Sequence, residues 1–466
     1  MHRVTRHLSS LVAAVALAAP AGLAAQDTDS TALLLAQLIR ANSSNPPGHT
    51  QQIADILGPL FRARGFQVDV IPTPDSAKVH FFARLKGNGS KKPLLLAAHA
   101  DVVGVEREKW TVDPFGGVIK DGAVYGRGAI DFKGGLAVFA RAAMLLADRK
   151  VPLDRDVIFL AEADEEGAPM NTTWLARQHW DKMDAEFALN EGGWIIKRED
   201  GRVQYVSIST SDKRVLGVTL TAKGTSTHAS MPLPDNALVT VGRALAKLGS
   251  YETPLEFTPD SRKYFATLAK TSTGETARLY TQLLNGTPQQ VSAADQMLSR
   301  DPLIHSLMRN TIAPVIVAGG FRSNVIPGSA EVTLNVRLIP GSDAAALIRT
   351  LETLFNDPLL TVKMSGALAP ASPASPDTSL LYRALAAESK AQWPEAEVTP
   401  YLFQAGTDAG AWRNRGIPVF GIYPYPISTD ELRRMHGNDE RVSVESLRQG
   451  TEMLFRTLKR VAGSSG

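Results

Sequence analysis

Short apolar runs, several of which end directly in a histidine, an acidic residue or an asparagine, constrain the fold of this chain most strongly. Five of them have the length and composition of β-strands. They span residues 66–71, 79–85, 94–98, 157–160 and 187–189. A helical pattern at residues 136–147 stands between the third and fourth runs, and this alternation predicts an α/β sheet flanked by helices.

A change of pattern near residue 214 predicts an inserted second domain. An alternating strand at 215–221 is followed by long helical segments up to residue 310 and by a β-rich stretch at 315–338. Beyond residue 366 the chain passes through a segment rich in Pro, Ala and Ser, and residues 419–423 have the pattern of another core strand of the first domain. We therefore predict a first domain at 26–213 and 367–466 that is interrupted by an α+β insert at 214–366.

The N-terminus has the three-part pattern of a signal peptide. Arg3 and Arg6 precede an apolar run at 11–19, and small residues follow at 21–25. The run is shorter than the ~20 residues that a membrane-spanning helix needs, and no later run reaches that length. We expect residues 1–25 to be removed, leaving a periplasmic or secreted protein that is not held in a membrane.

Composition limits the chemistry that the chain can perform. It contains no Cys, which excludes disulfides, thiolate metal ligands and a cysteine nucleophile, so a metal ion would need His, Asp and Glu ligands. The formal net charge is only +3 and no long basic run occurs, which argues against nucleic acid as a partner. No Gly-x-Ser-x-Gly segment is present to carry a serine nucleophile.

Five separate segments place histidines and carboxylates at predicted strand ends or in turns. They contain His99 and Asp101, Asp131, Asp164 to Glu166, Glu191, and His436. Taken singly, each has an ordinary interpretation, such as a helix-capping Asp or an acidic surface turn. A dinucleotide-binding loop would need a third glycine where Asp131 stands. Together, two histidines and several carboxylates without cysteine are typical of a site for divalent ions, and one Asp could bridge two of them.

Several ordered motifs resemble one family across nearly the whole mature chain. They are His99-Ala100-Asp101-Val102-Val103, Trp110 with Asp113-Pro114-Phe115, Tyr125-Gly126-Arg127-Gly128 to Asp131, Asp164-Glu165-Glu166-Gly167 and Met435-His436-Gly437. The family is that of the di-zinc peptidases and deacylases, which includes aminoacylase, acetylornithine deacetylase, succinyl-diaminopimelate desuccinylase and glutamate carboxypeptidase. The long helical part of the insert resembles the carboxypeptidase S branch. Phe132 and Gln404-Ala405-Gly406 depart from the commoner family pattern, but neither departure removes a metal ligand or the base.

The resemblance implies a mixed-sheet zinc-peptidase catalytic domain with an inserted lid and dimerisation domain. It implies two Zn²⁺ ions, for which Co²⁺ or Mn²⁺ could substitute. His99 and Glu191 would hold one ion, Glu166 and His436 the other, and Asp131 would bridge them. Asp101 would orient His99, and Glu165 would act as general base on a metal-bridging water.

The insert and one later loop resemble the substrate-contacting parts of that family. His228 in the insert would stabilise the oxyanion. Asn324, Arg337, Gly406 and Thr407 would contact substrate, and the fork of Arg337 suits a carboxylate. The histidines outside these motifs, His49, His80, His179 and His305, are predicted to have surface or capping roles.

The resemblance implies hydrolysis of an amide bond beside a free carboxylate, releasing an amino acid from a short peptide or an N-acyl amino acid. The sequence does not decide between peptidase and deacylase. A dipeptidase or aminopeptidase specificity and a catalytically silent binding module on the same fold are alternatives. A homodimer through the lid is also possible, because members of the family use the lid to dimerise and to supply its histidine across the interface, while others act as monomers.

Overall fold

The computed structural model describes residues 22–366, 368 and 370–464. Within these residues the larger strands form one ten-stranded mixed sheet and one four-stranded antiparallel sheet. The predicted signal peptide at 1–25 lies outside the described residues except for its last four, where a helix at Gly22–Arg40 begins.

The ten-stranded sheet contains all five strands predicted at the start of the chain. Its order is Gln67–Pro72, Val79–Leu85, Val157–Glu162, Leu94–His99, Phe187–Asn190, Val419–Gly421, Val203–Asp212, Ile195–Lys197 and Pro426–Ile427, and Glu397–Phe403 pairs with Val203–Asp212. The four central strands from Val157–Glu162 to Val419–Gly421 run parallel. Their carboxyl ends therefore meet at one edge of the sheet.

Helices cover both faces of this sheet, as the almost continuously apolar central strands require. Gly22–Arg40, Lys133–Asp148, Leu380–Gln392 and Val444–Ala462 pack together on one side of it. On the other side Thr172–Gln178 and Gly410–Arg413 place Leu175 and Trp412 against the sheet. The remaining helices near the sheet are Gln51–Arg62, Trp180–Met183 and Thr429–Leu432, together with a 3₁₀ turn at Arg107–Lys109.

The four-stranded sheet has its own core. Its order is Thr311–Gly319, Ser329–Leu338, Arg214–Lys223 and Leu360–Ser365. The helices Ala237–Leu248 and Ala344–Phe355 cover one face, where alternate strand residues such as Leu216, Val218 and Val336 are buried. The α/β fold with an α+β insertion is therefore confirmed.

Four helices of the predicted insert pack against the larger sheet. Pro259–Thr271, Gly274–Asn285, Pro288–Leu298 and Pro302–Met308 lie within the sequence assigned to the insert. Their buried side chains belong to the core of the ten-stranded sheet, where the Tyr264 ring contacts Tyr401 and its hydroxyl lies 3.0 Å from that of Tyr205. The range 214–366 stays a prediction for the insertion, but these helices are excluded from the core of the smaller sheet.

No helix in the described part of the chain combines the length and apolar character needed to cross a membrane.

Candidate metal centre

The predicted metal ligands meet at the carboxyl edge of the central strands. His99 is the last residue of Leu94–His99, and Glu191 directly follows Phe187–Asn190. Asp131 lies two residues before the first residue of the helix Lys133–Asp148, and His436 lies in the turn after Thr429–Leu432. The parallel strand order thus brings together residues that are more than 300 positions apart in the sequence.

Asp131 is placed between the two histidines. Its Oδ1 lies 3.1 Å from His99 Nε2, and its Oδ2 lies 3.1 Å from His436 Nε2. Glu191 Oε2 is 3.6 Å from His99 Nε2 on one side, and Glu166 Oε1 is 3.1 Å from His436 Nε2 on the other. These contacts form two adjoining clusters that share Asp131, which is the arrangement implied by the motifs.

The chemistry of this donor set fits divalent cations. Burial acts to lower the pKa of His99, but Glu191 and Asp131 raise it well above its ordinary value. Hydrogen bonds to Asp131 and Glu166 raise the pKa of His436 to about 10. Burial raises the pKa of Glu191 to about 7, although His99 opposes the shift. The raised pKa values mean that protons are held between these imidazoles and carboxylates. A divalent cation can replace the protons and neutralise the carboxylates instead.

Asp101 supports both His99 and the acidic turn that follows Val157–Glu162. His99 Nδ1 lies 2.9 Å from the Asp101 carbonyl and 3.7 Å from its carboxylate. The same carboxylate accepts the backbone N–H groups of Glu165 and Glu166 at 3.2 and 3.1 Å. The backbone carbonyl of Asp101 therefore orients His99, while its carboxylate fixes the backbone of the proposed base, a role that the sequence did not indicate.

The acidic turn separates its three carboxylates. Asp164 points away and pairs with Lys78 Nζ at 2.6 Å, while Glu166 faces His436. Glu165 lies next to His99 and Glu166, and burial together with Glu191 raises its pKa well above the ordinary value. Asn45 joins Asp101 to Asp164 through two hydrogen bonds from its Nδ2, at 2.7 and 2.8 Å.

His80 holds the same turn from the neighbouring strand. Its Nδ1 accepts the backbone N–H of Ala163 at 3.1 Å, and its Nε2 lies 2.9 Å from the Met170 carbonyl. The ring is completely buried, so the prediction of a surface or capping role is wrong for His80. Nothing in its sequence surroundings, a Val-His-Phe-Phe strand, signalled this role.

A buried ion pair joins the turn that carries Asp131 to the turn that carries His436. Glu440 accepts the backbone N–H groups of Gly128, Ile130 and Asp131, and its carboxylate pairs with Arg127 at 2.5 Å. Arg127 also donates to the carbonyls of His436 and Gly437 at 3.3 and 3.0 Å. The sequence motif included Arg127 but did not show that it connects the two turns.

Tyr423 is a further contributor that the sequence analysis treated only as part of a core strand. Its hydroxyl lies 3.1 Å from Asp131 Oδ1 and 3.0 Å from Glu191 Oε2. Burial and these two carboxylates raise the pKa of Tyr423 well above its ordinary value, so the phenol stays a neutral donor.

The predicted substrate-contacting residues fall into two groups. Arg337 lies close enough to the centre for the charge of Glu165 to oppose the lowering of its pKa by burial. It also adjoins Gly406, because a Cβ on that glycine would be 4.0 Å from Arg337 Nη1. Thr407 donates its hydroxyl to Asp212 at 2.7 Å. His228 and Asn324 are exposed and lie together at a separate two-stranded ribbon, Thr227–His228 with Val325–Ile326. There Ala229 N–H bonds to the Asn324 carbonyl, and His228 Nδ1 lies 2.8 Å from Ser230 Oγ. Among the described residues, the potential metal-binding groups of His, Asp and Glu do not include His228.

Comparison with known proteins gives consistent results for sequence and fold. Residues 95–460 match the family described as Peptidase family M20/M25/M40. The N-fatty-acyl-amino acid synthase/hydrolase PM20D1 of Homo sapiens is 26% identical over 397 residues, covering 82% of this chain and 76% of that protein. The protein named "Probable carboxypeptidase S-like 2" of Dictyostelium discoideum is 28% identical over 378 residues, covering 79% and 72%. The M20 family metallo-carboxypeptidase Sso-CP2 of Sulfolobus solfataricus has a similar fold, with a TM-score of 0.68, 19% identity and coverage of 93% of this chain and 100% of that chain.

Proposed function

Because this chain belongs to peptidase family M20/M25/M40 and is a hydrolase, we propose that it cleaves the amide bond beside a free carboxylate in an N-acyl amino acid or a short peptide. The observation that carries this proposal is the position of Glu165. It lies beside His99 and Glu166, its backbone is fixed by Asp101, and its raised pKa suits a group that takes up a proton. The human relative is named as a synthase and hydrolase of N-fatty-acyl amino acids.

In the proposed reaction Glu165 accepts the proton of the attacking water and passes it to the leaving amine. His99, Asp131, Glu166, Glu191 and His436 would hold two divalent ions, with Zn²⁺ proposed and Co²⁺ or Mn²⁺ as substitutes. When bound, such ions polarise water and a scissile carbonyl. Tyr423 and Asp101 keep Glu191, Asp131 and His99 in place, and Arg337 binds the substrate carboxylate beside Gly406 and Thr407.

We propose that His228 stabilises the oxyanion and that the smaller sheet forms a homodimer. The strand Thr311–Gly319 supports the second part, because one of its edges is unpaired within the described residues. Val315, Ile316 and Val317 on this strand are 56%, 59% and 59% exposed. Consecutive exposed apolar residues on an unpaired edge favour burial against another chain.

We also propose export to the periplasm or outside the cell. The proposal rests on Arg3, Arg6 and the apolar run at 11–19, with small residues after it. Amino-terminal sequencing of the protein recovered from the producing cells tests it: a first residue near 26 is expected, and a retained residue 1 would contradict it.

Glu165→Gln separates the proposed base from metal binding. Because the amide cannot take up the proton, we expect kcat to fall by at least about 10²-fold while the metal content stays near two ions per chain. The assay is hydrolysis of N-acyl amino acids and dipeptides with free and amidated carboxyl ends, with metal analysis of the same samples. Glu199→Gln, in an exposed turn, is the matched control and should behave as the native protein.

Three outcomes of this experiment would contradict parts of the proposal. Activity that survives Glu165→Gln would exclude Glu165 as the base. Activity on amidated substrates equal to that on free acids would exclude carboxylate recognition. A metal-loaded native protein that cleaves none of these substrates would favour the binding module.

A further inference from the structure

A cavity of about 550 Å³ lies beside the Gly406–Thr407 loop, where the chain crosses between the two sheets. Lys213, which separates the strands Val203–Asp212 and Arg214–Lys223, lines it together with Val215. The returning segment contributes Leu368, Pro370 and Ser372 to its wall. Arg177 and Arg415 line it from the side of the larger sheet. Its volume is in the range of small-molecule binding sites, roughly 300–1,000 Å³.

Three cationic side chains in the wall of this cavity, those of Arg177, Lys213 and Arg415, are not neutralised by protein carboxylates within the described residues. Within the described residues, no acidic group lies within 4.0 Å of the charged nitrogens of Arg177, Lys213 or Arg415. Lys213 Nζ donates to the Arg309 carbonyl at 2.5 Å, and Arg415 donates to the carbonyls of Ala411 and Ala176. These carbonyl contacts fix the cations without cancelling their charge.

The two acidic residues in the wall are already engaged elsewhere. Asp212 accepts hydrogen bonds from Arg413 Nη1 at 2.8 Å and from Thr407 at 2.7 Å. Asp408 is buried against Thr172, and burial raises its pKa to about 6. The wall of the cavity therefore carries an excess of positive charge.

Arg337 extends the same positive region toward the metal centre. Burial and the nearby charge of Arg337 together lower the pKa of Lys213 to about 7. Among the described residues, Arg337 has no carboxylate in salt-bridge contact, and it adjoins Gly406, which lines the cavity. Lys213 is buried and Arg337 is half-buried, and a bound anion stabilises two such neighbouring cations because its opposite charge offsets both desolvation and repulsion.

We propose that this cavity binds a second carboxylate, carried on the side chain of the amino acid that hydrolysis releases. The enzyme would then prefer N-acyl derivatives of glutamate or aspartate, and peptides ending in them, over neutral analogues. The inference rests on the proposed function, which assigns the α-carboxylate to Arg337. The side chain of the same amino acid can reach the cavity because Gly406, which adjoins Arg337, also lines it.

N-acetyl-L-glutamate and N-acetyl-L-glutamine form a matched pair for the test, since they are similar in size and one side chain ends in a charged carboxylate where the other ends in a neutral amide. Binding is measured by calorimetry on metal-loaded Glu165→Gln protein, which does not turn the ligands over. We expect the glutamate derivative to bind at least about tenfold more tightly, because a hydrogen bond to a charged group contributes more than a neutral one. Adding Arg177→Gln should lower this ratio by about threefold, and Lys213→Met should lower it further.

Arg349→Gln, on the exposed face of the helix Ala344–Phe355, is the control and should leave the ratio unchanged. Arg177 is exposed, so its substitution tests the inference even if Lys213→Met fails to fold.

Equal affinities for the two ligands, no binding of either, or a ratio that Arg177→Gln does not change would overturn the inference. Native protein that hydrolyses both derivatives with equal kcat/KM would overturn the inference and leave the proposed function intact. Native protein that hydrolyses no substrate, with the binding ratio retained, would overturn the function and leave the carboxylate pocket.

Discussion

His80 makes the stability of the acidic turn depend on pH. Burial lowers the pKa of His80 to about 4, with a smaller opposing effect from Asp164, and its Nδ1 must be unprotonated to accept the Ala163 N–H. The unfolded chain, with a pKa near 6.5 for this group, binds the proton more tightly than the folded chain. The stabilising effect of the neutral ring is therefore fully present above pH 6.5 and is lost as the pH falls toward 4.

Urea denaturation of the native protein and of His80→Leu at pH 7.5, 6 and 5 measures this effect. Between pH 6 and pH 5 the native protein should lose about 1 kcal/mol more of its unfolding free energy than the variant does. His305→Gln, which removes a partly exposed histidine that contacts Glu252, should follow the native protein. Parallel losses in the native protein and His80→Leu would show that His80 titrates as it does in the unfolded chain.

Individual metal-binding candidates were predictable because each occurs in a short motif with a chemically demanding residue. His99, Asp131, Glu166, Glu191 and His436 stand in such motifs, and the structure brings all five together. Their supporting partners were not predictable, because an asparagine, a tyrosine or a strand histidine has no spacing that indicates its contacts. Asn45, Tyr423 and His80 acquire their roles from neighbours that are distant in sequence.

The connection between two turns gives Glu440 an effect on metal affinity. Its carboxylate holds three backbone N–H groups of the Asp131 turn, and its partner Arg127 binds the carbonyls of the His436 turn. Glu440→Gln keeps the size of the side chain but replaces one acceptor oxygen with a donor that faces Arg127 or an N–H group. We expect the dissociation constant for Zn²⁺ to rise by about 10–100-fold, as for other partners of metal ligands.

Competition with a chromogenic chelator measures that constant. Glu331→Gln, on an exposed strand position of the smaller sheet, should retain the native affinity. Native affinity in Glu440→Gln would mean that the backbone alone keeps the two turns in place.

Strands were predicted more accurately than the packing of helices. The run at 79–85 coincides with the strand Val79–Leu85, and the predicted strand at 94–98 is extended by only one residue, His99. Apolar runs of this kind identify buried strands because both faces of the sheet are covered. The helices from Pro259 to Met308 were predicted as helical segments, but the core that they join was not predictable, since an amphipathic pattern shows which face is buried and not what covers it.

Metal binding should contribute to the stability of the whole molecule. The cluster joins the strand ends of the larger sheet to turns near residues 131 and 436, and its carboxylates repel one another when no cation is bound. A ligand that binds only the folded state stabilises it by about 2.7 kcal/mol at a free concentration of 100 Kd. We expect chelation to lower the thermal midpoint and Zn²⁺ to restore it. His436→Gln should show a smaller response, and an unchanged native midpoint would contradict folding-linked metal binding.

Assembly can be tested at the unpaired edge of the smaller sheet. Ile316→Lys places a charge among the exposed apolar residues of Thr311–Gly319, and a charge buried against a second chain opposes association. We expect sedimentation to give twice the mass of one chain for the native protein and a single-chain mass for the variant. Thr361→Lys, on the opposite edge strand Leu360–Ser365, should leave the dimer intact.

Activity of the Ile316→Lys monomer then shows which chain supplies His228. Within the described residues, His228 is exposed, bonds to Ser230, and lies outside the groups formed by the metal-binding candidates of its own chain. If the second chain brings His228 to the site, the monomer should lose activity to about the extent of His228→Gln, by about 10²-fold as for other oxyanion donors. Mixing Ile316→Lys with His228→Gln should then restore no activity, because the first variant cannot pair. A monomer with native kcat would instead require His228 to reach its own metal centre by movement of the insert, or to take no part in the reaction.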